Sequence, residues 1–157
     1  MQDGQFMLKY LLQVNTRYLP KGQIKMELKI GMKYELTKKV TEDLLASHVG
    51  SGLVNVFATP MMIAAMEEAS ASLVAPTLEE GKTTVGIEIA TTHAAATPLG
   101  MEVKVISEVT DISSNGKIIS FKVEAFDEVD KIGEGTHKRA VVNKARFEEK
   151  TLAKLNK

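Results

Sequence analysis

The sequence contains no cysteine and no tryptophan, and only 5% of its 157 residues are aromatic. Without cysteine, the chain cannot use thiol catalysis, disulfides or cysteine-ligated metal sites, and its composition fits a reducing compartment. The scarcity of aromatic side chains argues against the stacking platforms of single-stranded nucleic-acid binders. The three histidines, His48, His93 and His137, are too scattered to predict a metal site. We therefore expect a chain that works without a metal or another cofactor.

The sequence also lacks a net charge and long apolar runs. Twenty Lys and Arg residues balance twenty Asp and Glu residues, so no net field attracts nucleic acid or an anionic membrane. No apolar run reaches the ~20 residues that a membrane-spanning helix needs. Residues 6–14 come nearest to a targeting signal, but Lys9 interrupts them and no convincing small-residue cleavage site follows. These absences predict a cytoplasmic protein without nucleic-acid or membrane partners.

The length of the chain predicts a single domain that is large enough to bury a core. We assign this domain to residues 26–157. Residues 1–25 include the breakers Pro20 and Gly22 and form an N-terminal extension whose structure the pattern leaves open. A loose extension, a leader and a first strand are all compatible with it.

Residues 56–78 predict one long helix. Thr59 stands at the expected N-cap, Pro60 follows at the first helical position, and Pro76 ends the helix. Glu67 lies two turns after Thr59, about 12 Å along the axis at ~1.5 Å per residue. Apolar residues recur at three- and four-residue spacing and predict a buried stripe: Met61, Met62, Ala65, Met66, Ala69 and Leu73.

The remaining segments alternate polar and apolar residues, a pattern that is typical of half-buried strands. Each such strand has one apolar face, and the helix stripe is the only large apolar surface available to cover it. We therefore predict an α+β fold in which an antiparallel β-sheet wraps around one long central α-helix. The predicted strands cover residues 33–40, 83–93, 101–105, 119–125 and 136–143, with turns at 113–116 and 127–133 and a short charged helix or frayed end after 147.

Three side chains could carry chemistry if this fold brings them together. Thr59 alone is a helix cap, Glu67 alone is a partly exposed carboxylate, and His93 alone is a hydrogen-bonded residue at a strand end. By strand parity His93 shares the apolar face of Val85, Ile87 and Ile89, so its ring should point toward the helix. A hydroxyl, a carboxylate and an imidazole at one helix–sheet seam supply a nucleophile or water, a base and an orienting group. This set of parts suits acyl transfer.

Two further residues, His137 and Arg139, lie at alternate positions of the last predicted strand with the parity of Val141. Their ordinary explanation is a solvated or salt-bridged strand end. A functional role is the alternative.

Three motifs resemble those of the fluoroacetyl-CoA thioesterase family within the hotdog fold. They are VFAT at residues 56–59, TTHAAATP at residues 91–98 and IGEGTHKRAV at residues 132–141. The third motif is the most specific, because glycines and a Thr-His-x-Arg cluster at this spacing from the His93 motif are unlikely to arise by chance. The resemblance covers residues 33–147.

The resemblance implies an acyl-CoA thioesterase with the hotdog fold that acts as a homodimer or an oligomer of dimers, with acyl-CoA bound between protomers. It implies catalytic roles for Thr59, Glu67 and His93, a backbone contact to substrate at Gly86 and an arginine near the site at Arg139. No cofactor is implied beyond the CoA thioester itself. A non-catalytic acyl-CoA sensor or carrier and an enoyl-CoA hydratase remain alternatives on this fold.

The sequence departs from the fluoroacetyl-CoA enzyme ahead of the first motif. That enzyme has aromatic residues there, whereas residues 48–55 of this chain contain none besides the histidine. We therefore predict hydrolysis of a short or medium acyl-CoA and leave the acyl group open. The sequence also leaves open whether Thr59, Glu67 or water attacks the thioester.

Overall fold

The computed structural model describes residues 17–18 and 24–156, and within them the fold is a five-stranded antiparallel sheet with one long helix packed on it. The strands are β1 (Arg17–Tyr18), β2 (Ile24–Lys25), β3 (Lys33–Lys39), β4 (Lys82–His93), β5 (Glu102–Ile112), β6 (Ile118–Phe126) and β7 (Lys131–Asn143). The strand order in the five-stranded sheet is β3-β5-β6-β7-β4, while β1 and β2 pair with each other in a separate two-stranded sheet. The helices are α1 (Ala46–Val49), α2 (Thr59–Val74) and α3 (Lys144–Leu152), with 3-10 turns at Glu42–Leu44, Ala75–Thr77 and Ala153–Asn156.

Most of the predicted N-terminal extension, residues 1–25, lies outside the described residues, so the division of the chain at residue 26 stays a prediction. Within the described ranges, no helix combines the length and the apolar character that crossing a bilayer requires.

Helix α2 is the central element, as predicted. It packs against strands β3, β4, β5 and β6. Of the predicted stripe, every member except the half-buried Met61 is buried. Each large side chain in this core, such as Met62, Met66 or Leu73, contributes about 1.5–3 kcal/mol through removal from water. This packing fixes both ends of α2 relative to the sheet.

Strand β4 departs from the predicted parity. Its register against β7 shifts between Gly86 and Glu88, so Ile87 is the extra residue of a β-bulge. Thr84 is therefore buried, whereas Ile87 is 52% exposed. The prediction that Ile87 shares a buried face with Ile89 was wrong, because one inserted residue reverses which side chains face the core. The predicted direction of His93, beyond the bulge, is unaffected.

Of the two predicted turns, one is confirmed and the other ends earlier than predicted. The hairpin turn at residues 113–116 is present, with Gly116 at a φ of 66°. The turn predicted at 127–133 is shorter, because the Asp127 carboxylate accepts the backbone N–H groups of Val129 and Asp130 and closes it early. As a result β7 begins at Lys131 rather than at residue 136.

Candidate active site

Thr59 lies at the first position of α2 and does not cap the helix. The N-cap is Ala58, whose backbone is extended and whose carbonyl accepts the N–H groups of Met61 and Met62. The predicted N-cap was therefore wrong by one residue. The hydroxyl of Thr59 is 2.8 Å from Nδ1 of His93, the last residue of β4. The Thr59 hydroxyl, which was expected to accept a backbone N–H of the helix, thus contacts the His93 imidazole instead.

Backbone hydrogen bonds hold these two residues together although 34 positions separate them. The N–H of Phe57, just before α2, donates to the carbonyl of Thr97, just after β4, at 2.9 Å. The buried Thr97 hydroxyl donates to the Asp127 carboxylate at 2.9 Å, which anchors this loop to the β6–β7 turn. The Phe57 ring also meets the His93 ring edge-on, with centroids 6.4 Å apart. Hydrogen bonds and ring packing from neighbouring elements therefore hold Thr59 and His93 in position.

Electrostatics favour a neutral His93. Burial lowers the pKa of the His93 ring, and the backbone of Ala95 opposes this shift. The second ring nitrogen, Nε2, is buried and has no hydrogen-bond partner among the described residues. A buried nitrogen without a hydrogen-bond partner costs about 1–3 kcal/mol. A neutral imidazole beside a hydroxyl can accept its proton.

Glu67 belongs to a second cluster, formed by α2, β4 and β7. The Nη1 of Arg139 donates to the Glu67 carboxylate at 3.2 Å, while Nε and Nη2 donate to the hydroxyl and carbonyl of Thr84 at 2.8 and 3.0 Å. Arg139 is 7% exposed and His137 is 1% exposed, so a solvated strand end was wrong for both, whereas the salt-bridged form of that explanation holds for Arg139, which pairs with Glu67. Burial lowers the pKa of Arg139, and the nearby Glu67 charge raises it.

Gly86 completes this cluster. A Cβ atom built on Gly86 would collide with the Glu67 carboxylate and crowd the His137 ring, so a larger residue here would displace the Glu67 carboxylate. The Glu67 carboxylate therefore touches the backbone of the edge strand at the bulge. Sequence reasoning missed Thr84 as the anchor of Arg139, because the bulge that buries Thr84 leaves no simple periodic signal.

The structure brings Thr59 and His93 together but does not bring Glu67 to them within one chain. Gly86, which Glu67 touches, precedes His93 by seven residues on β4. Because Ile87 is the extra residue of the bulge, this is six paired positions, or about 20 Å along the strand at ~3.3 Å per residue, more than two side chains can span. One chain therefore carries two half-sites: the hydroxyl–imidazole pair and the carboxylate–guanidinium cluster.

The described residues contain no group of three or more histidine, aspartate or glutamate side chains arranged to hold a metal ion.

Comparison with known proteins places the chain among thioesterases. Residues 40–145 match the family described as fluoroacetyl-CoA-specific thioesterase. The chain is 43% identical over 99 residues to the fluoroacetyl-CoA thioesterase of Streptantibioticus cattleyicolor, covering 63% of this chain and 70% of that protein. A solved structure of a mutant of the fluoroacetyl-CoA-specific thioesterase FlK, in complex with fluoroacetate and CoA, is 35% identical, with a TM-score of 0.72 over 76% of this chain and 99% of that one. A hot-dog-like protein from Thermanaerovibrio acidaminovorans shares the fold at 20% identity, with a TM-score of 0.73 over 81% of this chain and 93% of that one.

The half-buried His93 and the buried His137 predict that stability falls as the pH is lowered. The pKa values of His93 and His137 lie below the ordinary value of 6.5, mainly through burial, so the unfolded chain binds more protons below that pH. The free energy of unfolding, measured in urea, should therefore decrease from about pH 7.5 to about pH 5.5. A His93→Gln variant should lose part of this slope. An unchanged slope in that variant, or a flat profile for the wild type, would contradict the assignment.

Proposed function

This chain belongs to the fluoroacetyl-CoA-specific thioesterase family, and from that premise we propose that it hydrolyses a short or medium acyl-CoA to the free acid and CoA. In this proposal Thr59, Glu67 and His93 are catalytic, while Gly86 and Arg139 contact the substrate. The chain has the hotdog fold of its relatives. A cytoplasmic location stays a prediction from the sequence.

The single observation that carries the proposal is the 2.8 Å contact between the Thr59 hydroxyl and the neutral His93 ring. The imidazole accepts a proton from Thr59, or from a water in its place, as that oxygen attacks the thioester carbonyl. The negative charge that develops on the carbonyl oxygen lies at the N-terminus of α2, where the positive end of the helix dipole favours an anion. The imidazolium then returns its proton to the leaving thiolate of CoA. If Thr59 attacks, water releases the acid in a second, equivalent step.

Glu67 reaches this pair if two chains associate through strand β4. In the described part of the chain, β4 pairs with β7 on one side and forms an edge of the sheet on the other. An unpaired edge strand of this length is a template for another strand. Antiparallel pairing of two β4 strands would join two five-stranded sheets into one and produce a homodimer.

A two-fold axis at Ala90 would set Gly86 opposite the partner's His93, because the bulge at Ile87 leaves three paired positions from Ala90 to Gly86 and three from Ala90 to His93. The Glu67 carboxylate and Arg139, which contact each other beside Gly86, would then face the hydroxyl–imidazole pair of the other chain. Each site of the dimer would thus combine the hydroxyl–imidazole pair of one chain with the carboxylate–guanidinium cluster of the other, and the dimer would contain two such sites. The buried Nε2 of His93 would gain groups from the partner or the substrate.

The reaction is tested with a panel of acyl-CoA substrates and detection of the free thiol. Thr59→Ala, Glu67→Gln and His93→Ala should each lower kcat about 100-fold or more, since positioned acid–base groups contribute ~10²–10⁴-fold. Thr59→Ser, which keeps a hydroxyl, is the matched control and should retain far more activity. Binding of acyl-CoA without thiol release by the wild type would favour a sensor or carrier and overturn the proposal.

The dimer is tested by charging the bulge of the edge strand. Ile87 is 52% exposed in one chain, so Ile87→Lys should little affect the folding of a single chain but should oppose burial at a β4–β4 interface. Light scattering should show the mass fall from twice to once the 17.1 kDa of the chain. Val129→Lys, at a 77% exposed position in the β6–β7 turn, is the control and should leave the mass unchanged. A wild-type monomer, or a dimer indifferent to Ile87→Lys, would contradict this interface.

A further inference from the structure

We infer that His137 is a positioning residue, which holds the guanidinium of Arg139 in the orientation that directs Nη1 at the Glu67 carboxylate. The inference rests on the proposed function, because it gives His137 a part in placing Glu67 for the reaction. None of the catalytic roles proposed above requires His137.

The contacts of the His137 ring fix its protonation and tautomer. Its Nδ1 lies 2.7 Å from the backbone carbonyl of Glu88, which can only accept, so Nδ1 carries a proton and donates it. Its Nε2 lies 3.2 Å from Nη1 of Arg139, which can only donate, so Nε2 accepts. The ring is therefore neutral, with its proton on Nδ1. It is also held in place by stacking on Phe121, with centroids 5.9 Å apart and planes at 29°.

The surroundings maintain this state. Burial and the adjacent Arg139 charge lower the pKa of His137, while the Glu88 carbonyl and the Glu67 carboxylate raise it. On β4 the Glu88 side chain pairs with Lys138 at 2.9 Å, and the Glu88 carboxylate is about half exposed. The charged groups facing the ring are thus Arg139 from β7 and Glu67 from α2, and the net shift keeps the acceptor at Nε2 free of a proton.

This arrangement gives partners to four of the five N–H donors of Arg139. Nε and Nη2 are bound to Thr84, and Nη1 is shared between His137 and Glu67. The two hydrogens on Nη1 match these two acceptors, one each. If the acceptor at position 137 is lost, one hydrogen of a buried guanidinium is left without a partner, and the group can turn to satisfy it elsewhere. The direction of the hydrogen bond to Glu67 is then no longer fixed.

Two substitutions separate the functions of the ring nitrogens. In His137→Asn the amide nitrogen can replace Nδ1 as donor to Glu88, but nothing accepts from Arg139. In His137→Gln the longer side chain can place an oxygen near the position of Nε2 and restore the acceptor. We expect His137→Asn to lower kcat/KM about tenfold or more and His137→Gln to stay within about threefold of wild type, because a small misplacement of a catalytic group is costly.

A double-mutant comparison tells positioning from general destabilisation. In a Glu67→Gln background the carboxylate to be positioned is already absent, so His137→Asn should cause little further loss of kcat/KM. An equal loss in both backgrounds, or equal effects of Asn and Gln, would overturn the inference.

A second readout does not depend on hydrolysis. The ¹⁵N shifts of the His137 ring should show a protonated Nδ1 and an accepting Nε2 at neutral pH, and the Nε2 shift should move in an Arg139→Met variant. A ring protonated on Nε2, or an Nε2 shift indifferent to Arg139→Met, would overturn the inference even in a fully active enzyme. Absence of hydrolysis in the wild type would refute the proposed function, while this measurement would still decide whether His137 holds Arg139.

Discussion

The hydrogen bond between the Thr59 hydroxyl and the His93 ring is the contact on which the account depends. This contact forms because the buried stripe of α2 packs against the sheet and because the Phe57 N–H donates a hydrogen bond to the Thr97 carbonyl. Both arrangements place the start of the helix against the end of strand β4. The result is a hydroxyl at a helix N-terminus beside a neutral imidazole, which is an arrangement suited to attack on a carbonyl.

The second constraint is the distance between this pair and Glu67. The Arg139 guanidinium and the glycine at position 86 hold the carboxylate at the bulge of β4, seven residues from His93. The proposed two-fold axis at Ala90 would account for both the separation within one chain and the unpaired edge of β4. In that arrangement the site would form only when two chains associate. An isolated chain would carry the residues of the site but would not bring them together.

The sequence predicted much of this architecture, for identifiable reasons. The stripe from Met61 to Leu73 indicated the helix, and period-two segments indicated the strands, since both patterns follow directly from burial of one face. Two of the wrong predictions concern residues at or near the site. The Thr59 N-cap prediction failed because the helix begins one residue earlier than predicted, with Ala58 as its N-cap and Thr59 as its first residue, which frees the Thr59 hydroxyl for His93. The parity of β4 failed at Ile87, because a bulge depends on tertiary pairing and carries little local signal.

The most direct measurement of the central claim uses a heterodimer purified through two different tags, with Thr59→Ala in one chain and Glu67→Gln in the other. If Glu67 serves the hydroxyl–imidazole pair of the opposite chain, one of the two sites is intact, and the heterodimer should hydrolyse acyl-CoA at about half the wild-type rate. Each mutant homodimer should be nearly inactive. A heterodimer as inactive as the two homodimers would show that the site is not shared between chains and would contradict the account.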